Sequence, residues 1–229
     1  MLSYVLYKLK QNDFIFNIAD KLNNPKFFYE GKINFNPFYS ILKGESEEIN
    51  LFKIFNSNTF IIQLLKTEIL NNKNMNFDLK INSDKIKSFE SFIKFNLNSK
   101  IEDGLTDIDN SKFSWKNNAS FEITDSLIHV KEGELILDGK LNISISDSNE
   151  IYKFLLTPKN YRTKIREIEL NFYYNFDKHN LGLDYIKIDK MLNKSINNDL
   201  KILNFKNNKL QNKIYFKNIM NKFIKLYAG

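Results

Sequence analysis

His129 and His179 are the residues whose chemistry is worth testing first. A catalytic or metal centre needs three or four such groups converging on one point. The two histidines are far apart in sequence, His179 lies in the polar loop Asp177-Lys178-His179-Asn180, and neither has carboxylates at ligand spacing. Glu102, Asp103, Asp107 and Asp109 gather around Gly104. They lack the spacing of an EF-hand loop and read as a solvated turn. Ser126 and Ser195 lack the flanking glycines of a nucleophile elbow. No P-loop or dinucleotide glycine fingerprint is present. With 0 Cys, thiolate chemistry, cysteine metal sites and disulfides are removed together. The expectation is a chain with no catalytic residues, no metal and no cofactor.

The charge balance narrows the partners. Lys and Arg number 34 against 27 Asp and Glu, a net +7, and Arg occurs only at Arg162 and Arg166. The lysines are scattered among acidic residues along every segment, where a nucleic-acid binder gathers its cations on one surface, so no nucleic-acid partner is expected. No stretch reaches the ~18 to 20 apolar residues of a membrane-spanning helix. The first ten residues lack a basic n-region, a long apolar region and a cleavage site, so no export signal is visible.

The informative signal is alternation. In residues 133–146, Leu135, Leu137, Leu141, Ile143 and Ile145 fall on odd positions, while Glu134, Asp138, Lys140, Asn142 and Ser144 fall on even ones. A strand sends alternate side chains to opposite faces, so this is a long strand with one apolar and one wet face. Gly139, where an apolar residue was due, points to a bulge or a close backbone approach. The same pattern recurs in Phe77, Leu79 and Ile81, in Ile93, Phe95 and Leu97, and in Leu170, Phe172 and Tyr174. The face of Phe121 and Ile123 switches at Asp125-Ser126 before Ile128 and Val130, which requires a bulge or a break. Lys131-Glu132-Gly133 reads as a tight turn between antiparallel strands.

Four segments result. Residues 1–55 read as N-terminal strands that continue a sheet from a longer protein, with Val5, Tyr7 and Leu9, then Phe14, Phe16 and Ile18, then Phe27, Tyr29 and Ile33 alternating, and a turn at Asn23-Asn24-Pro25. Pro37-Phe38-Tyr39 closes them, Glu45-Ser46-Glu47-Glu48 reads as an acidic loop, and Ile49 to Phe55 as a helical turn. Residues 56–74 hold an amphipathic helix from Thr59 to Leu70, with Phe60, Ile61, Leu64, Leu65 and Ile69 on its apolar face; a buried strand is the alternative. Residues 75–189 form the main antiparallel sheet, with a short helix from Glu150 to Leu156 capped by Asp147-Ser148-Asn149. Residues 190–229 are a polar linker and a basic amphipathic helix from Ile214 to Leu226. Its stripe of Phe216, Ile219, Met220 and Phe223 docks on the sheet or lies on a membrane surface. The fold class is mainly β: a long antiparallel meander curled into a groove, with short capping helices including a C-terminal one.

Trp115-Lys116, the strand ending in Asp125-Ser126-Leu127, Leu-x-Leu-x-Gly-x-Leu at 135–141, Ile151-Tyr152-Lys153-Phe154, Arg162 and Arg166, Phe172-Tyr173-Tyr174-Asn175-Phe176 and Ile186-Lys187-Ile188-Asp189 together resemble the C-terminal region of AsmA-like (AsmA/TamB-type) bacterial envelope proteins. The resemblance implies a periplasmic curled sheet, held at the inner membrane by an N-terminal helix that this chain does not contain. Its apolar concave face would carry phospholipid acyl chains in lipid transport or outer-membrane homeostasis, with membrane or envelope proteins as further partners. On this reading the lining residues are Phe77, Leu79, Ile81, Ile93, Phe95, Leu97, Leu135, Leu137, Leu141, Ile143, Leu170, Phe172 and Tyr174. The same alternation fits a closed structural or protein-interaction domain with a filled core and no groove.

Overall fold

The computed structural model describes residues 4–20, 26–54, 56, 58–87, 91–192, 204–206 and 213–228. The expected turn at Asn23-Asn24-Pro25, Ser195 and most of the linker lie outside the described residues.

The described strands form one sheet. Strands β1 (Tyr4–Lys10), β2 (Asp13–Ala19), β3 (Phe27–Phe35) and β4 (Phe38–Ile49) run as an antiparallel meander. Two short helices follow, α1 (Leu51–Ile54) and α2 (Phe60–Lys66). The chain then returns as β5 (Asn76–Ile86), which pairs with β4 in parallel. A helical crossover is what a parallel pair requires, so the sheet is not a pure antiparallel meander. Strands β6 (Phe92–Glu102), β7 (Leu105–Asp107), β8 (Lys112–Trp115), β9 (Ala119–Lys131), β10 (Glu134–Ile145), β11 (Glu167–Asn175) and β12 (Asn180–Ile188) continue antiparallel. Helix α3 (Ser148–Leu155) interrupts β10 and β11. Two fragments, β13 (Met191–Leu192) and β14 (Asn204–Lys206), pair with β12, and helix α4 (Lys213–Ala228) closes the chain. Because β4 and β5 pair along their length, segments 1–55 and 75–189 belong to one sheet.

Local chemistry sets the breaks. Asp103 (φ 52°) with Gly104 (φ 80°), and Glu132 (φ 53°) with Gly133 (φ 77°), make hairpin turns that need two consecutive left-handed residues. The face switch at Asp125-Ser126 is a bulge: both residues oppose Gly139, and the register slips there between β9 and β10. Asp109 holds that bulge, its Oδ1 accepting from the Ser126 amide at 2.7 Å and from Ser126 Oγ at 2.6 Å. The extra residue keeps Phe121 and Ile123 on the face of Ile128 and Val130.

Several elements differ from the sequence reading. Glu45-Ser46-Glu47-Glu48 is strand, part of β4, and Phe38 opens that strand after a turn at Asn36-Pro37. Helix α2 is shorter than Thr59 to Leu70, because Thr67 caps it and Glu68 takes φ 56°. Its buried residue is Ile62, while Phe60, Ile61 and Ile69 are exposed. The helix therefore presents Ile62 and Leu65 to the sheet, one position round from the expected stripe.

Two cores lie on the sheet's apolar face. The first joins Ile49, Ile81, Phe95, Leu97, Leu135 and Phe176 under α1 and α2, with Leu51, Ile54 and Leu65 packed on it. The sheet curls around this crossover, which starts beside β4 yet reaches β9 and β10. Lys66 Nζ meets Asp177 Oδ1 at 2.6 Å, and Asp177 Oδ2 accepts the Leu135 amide at 2.9 Å, fastening α2 to the β11–β12 turn. The second core joins Tyr152, Leu155, Ile165, Ile186, Ile188, Phe223 and Ile224. Asp147 caps α3 through the Asn149 amide at 2.9 Å, and the Tyr152 hydroxyl donates to the Thr163 carbonyl. Burial pushes the Tyr152 phenol up to about 12.

Helix α4 docks on that core. Phe223 and Ile224 are buried, Met220 and Tyr227 pack beside them, and Asn221 bonds to Leu155 and Thr157. Lys217 and Lys225 sit over the rings of Phe154 and Tyr161 at 4.8 and 5.5 Å. The side chains of Phe216 and Ile219 lie outside the described residues. No helix among the described residues is long and apolar enough to cross a membrane.

Candidate functional site: an apolar sheet face, half covered and half bare

Strand register extends the apolar face across the whole N-terminal half in rows. One row runs Tyr7, Phe16, Gly31, Leu42, Leu79, Ser99. A second runs Val5, Ile18, Tyr29, Gly44, Ile81, Leu97. A third runs Leu9, Phe14, Ile33, Ser40, Phe77, Ile101. None of these positions carries a charge. The opposite face carries the ion pairs, such as Lys32 Nζ to Asp13 Oδ2 at 3.0 Å, and the Lys32 and Asn34 hydrogen bonds hold the Asp13 carboxyl below its ordinary range.

Cover changes along the rows. Ile81 and Leu97 are 8% and 5% exposed beneath α1 and α2, whereas Val5, Tyr7 and Leu9 are 55%, 73% and 67% exposed. Among the described residues, none of β1–β3 belongs to either core. The bare half packs sideways instead. Rings meet at Tyr7–Phe14 (6.1 Å), Phe14–Phe16 (5.7 Å) and Phe27–Tyr29 (5.7 Å). The Phe16 ring lies over Gly31 and the Tyr29 ring over Gly44; a Cβ at either glycine would stand 2.5 Å from the ring. Burial raises the Tyr29 phenol. The result is a shallow, uncharged floor made mostly of rings, aliphatic side chains and glycines.

The residues named from the sequence divide into groups. Ile81, Phe95, Leu97, Leu135 and Leu137 are buried in the first core, and Leu79, Phe172 and Tyr174 pack on it. Leu170 packs on the second core. Phe77, Leu141 and Ile143 share the apolar face, half-buried and in neither core. Ile93 is a correction. Lys94 takes φ 54°, and Ile93 then falls opposite Lys85 and Ser114, while Phe92 takes the apolar side and meets the rings of Phe113 and Phe121 at 5.7 Å each. The bare residues of β1–β3 are the ones missed as lining. Their alternation is plain in sequence, but it carries no sign of which strands stay uncovered.

The groups tested for other chemistry do not converge on one point among the described residues. His129 Nδ1 lies 3.5 Å from Asp138 Oδ2 across the hairpin, a neighbour that sequence spacing did not show. His179 Nδ1 lies 3.3 Å from the Tyr174 hydroxyl. Ser126 Oγ donates to Asp109 and accepts the Ile108 amide at 2.9 Å, so Asp109 is a bulge support and not part of a solvated turn. No group of three metal-ligating side chains occurs among the described residues. A depression of about 660 Å³ beside Lys26, Glu45, Glu47, Asp84 and Lys94 mixes both signs of charge. Trp115 is core, 7% exposed, against the Phe154 ring at 5.4 Å.

Comparison with protein-family models, curated proteins and solved structures finds no match to the chain.

Proposed function

We propose that this chain is a non-catalytic, acyl-chain-binding sheet of the AsmA-like kind, which takes phospholipid tails on the bare apolar face of β1–β4 in periplasmic lipid transport or outer-membrane homeostasis. The observation that carries this is the set of uncharged register rows, buried at one end and more than half exposed at β1. Acyl chains need no polar partner, only apolar surface, and each methylene removed from water contributes about 0.8 kcal/mol. Sliding along a floor of like residues exchanges one such contact for another and costs little. The binding surface is thus displaced from Leu135 and Leu137, which the chain's own helix covers, towards β1–β4, with Phe77 and Leu79 at its margin.

Native mass spectrometry with lipid extraction, on protein purified from a bacterial host, tests the proposal. Phospholipid co-purifying at defined stoichiometry supports it. A lipid-free protein that takes up no added fluorescent phospholipid sinks it, and favours a second reading: a structural or protein-interaction domain with a filled core. That reading draws on the cover that α1–α2 and α3–α4 lay over β5–β12. Periplasmic location is checked separately, by protease accessibility in spheroplasts.

A further inference from the structure

Hydroxyl groups on the apolar face divide into two kinds. Ser46 Oγ donates to Ser83 Oγ at 3.3 Å, Ser83 Oγ to the Lys85 carbonyl at 3.0 Å, and Ser99 Oγ to the Asp107 carbonyl at 3.1 Å. Ser40 Oγ and Thr106 Oγ1 are buried with no hydrogen-bond partner among the described residues. Both stand in the third row, Ser40 between Ile33 and Phe77, and Thr106 between Ile101 and Ile128. A buried hydroxyl gives up its bonds to water, so leaving it unpaired destabilises the fold unless something else supplies the bond. Their surroundings differ. Ile101 and Ile128 are both buried, and Ile128 belongs to the first core. Ser40 is 1% exposed, yet its cross-strand neighbours Ile33 and Phe77 are half-buried and belong to neither core. The same holds for Phe38 and Leu42, which lie two residues away along β4 and so share its face. Serine is shorter than any of these four, so its hydroxyl lies at the foot of a notch whose walls reach solvent.

We infer that Ser40 is a polar anchor in the floor: its hydroxyl donates to the carbonyl oxygen of an acyl ester whose methylene tail lies along the third row, over Ile33, Phe14 and Leu9. The inference rests on the lipid reading and adds to it a fixed point for the ligand. From Ser40 to Leu9 the row crosses three strand spacings, about 14 Å, so the tail has a run of apolar side chains to cover. Access requires a rotamer change in Ile33, Leu42 or Phe77, which packing in neither core opposes. An ester suits the notch better than a free carboxylate. No position of the three rows carries a charge, so nothing there would offset a carboxylate taken out of water. An ester carbonyl is a neutral acceptor and needs only the one donor. Sliding along the floor costs little, and a single donor sets where along it the ester stops.

Dioctanoylphosphatidylcholine and its dioctyl ether analogue share headgroup and tail length and differ in the carbonyls. Calorimetric titration below their micelle concentrations is expected to show the wild-type protein binding the ester about fivefold more tightly, the worth of one neutral hydrogen bond. In Ser40→Ala the ester is expected to fall to the affinity of the ether. Ether binding is expected to stay unchanged, and the melting temperature to stay level or rise, since the unpaired hydroxyl is gone. Thr106→Val removes the other unpaired hydroxyl at nearly constant shape and is expected to keep the ester preference. With isotope-labelled ester carbonyls, the bound lipid is expected to show an infrared carbonyl band moved to lower frequency in the wild type and not in Ser40→Ala. Wild-type protein that binds both lipids equally overturns the inference and leaves the lipid reading standing. An ester preference retained by folded Ser40→Ala does the same. Binding of neither lipid overturns the lipid reading and the inference with it. The wild-type comparison and its infrared band need no variant, so a Ser40→Ala protein that fails to fold does not shield the inference from refutation.

Discussion

Phe16→Asp puts the lipid reading to its sharpest test. Phe16 lies between Tyr7 and Gly31 in the central row, half-buried, with its ring on the glycine. A methylene resting on an open face keeps its other side in water, so it contributes about half of the 0.8 kcal/mol of full burial, or ~0.4 kcal/mol. A ring spans four or five methylenes, so losing it costs about 2 kcal/mol, roughly thirtyfold in Kd. The assay is equilibrium titration with a fluorescent phospholipid, paired with a thermal melt. Ile62→Ala is the companion variant. Ile62 is 2% exposed and belongs to the core under α2, so its truncation is expected to cost about 2–5 kcal/mol of stability. Affinity in protein that remains folded is expected to stay unchanged. Wild-type affinity in a folded Phe16→Asp protein would refute the reasoning. Loss of lipid by Ile62→Ala in step with Phe16→Asp would also refute it, because the tails would then lie under the helix.

Further outcomes follow from the covered half of the sheet. Leu137→Asp puts a carboxylate where the side chain is 8% exposed; the expected result is loss of the folded state, read by circular dichroism, and a folded variant with altered lipid binding alone would count against the covered core. Asp177→Ala removes the acceptor of both Lys66 and the Leu135 amide, which is expected to cost about 1–3 kcal/mol and to speed hydrogen exchange at Leu135 in mass spectrometry. Burial raises the Asp177 carboxyl, but the Lys66 and Leu135 hydrogen bonds outweigh it and hold it below the ordinary aspartate range. A depressed carboxyl contributes stability above its unfolded pKa and loses it as pH falls through the folded one. The melting temperature should therefore drop below about pH 4, and drop less steeply in Asp177→Ala. Gly182→Val on the wet face must displace the Tyr173 ring, which stands 2.0 Å from where a Cβ would sit; a destabilisation of about 1–3 kcal/mol in urea is expected.

Strand identity was legible because period-two alternation is a direct trace of the pleat, and β10 runs from Glu134 to Ile145 as the odd-numbered leucines and isoleucines require. The bulge was legible at Asp125-Ser126 because the apolar side changes there. The second change of face, at Lys94, was not, because Phe92 and Ile93 are both apolar and either can take the inner side. Glu45 to Glu48 resembled a loop by composition, yet pairing of β4 with β3 and β5 carries it into strand. Tertiary pairing of this kind overrides local preference. Helix α2 starts where expected but stops at Lys66, and its buried side lies one position round from the expected stripe. Phe60, Ile61, Ile62, Leu64 and Leu65 offer apolar residues nearly all round, and only docking on β9 and β10 selects Ile62. For the same reason the bare strands could not be told from the covered ones: alternation records that one face is apolar, not what lies on it.

The bare half must hold its shape without a covering layer, and its glycines explain how. Phe16 stands directly opposite Gly31 across the strands, and Tyr29 opposite Gly44. The same pairing joins Phe172 to Gly139 and Tyr173 to Gly182. In each pair the ring lies down on the glycine backbone, burying apolar area against the sheet itself. Lateral packing then takes over part of what a second layer supplies elsewhere. A sheet built this way stays folded with its apolar face unoccupied, and the rings that stabilise it also form the floor a lipid tail would touch. Alanine at Gly31 or Gly44 would force Phe16 or Tyr29 upright. It would roughen that floor and weaken lateral packing at once, so lipid affinity and stability are expected to fall together there, while they separate at Ile62.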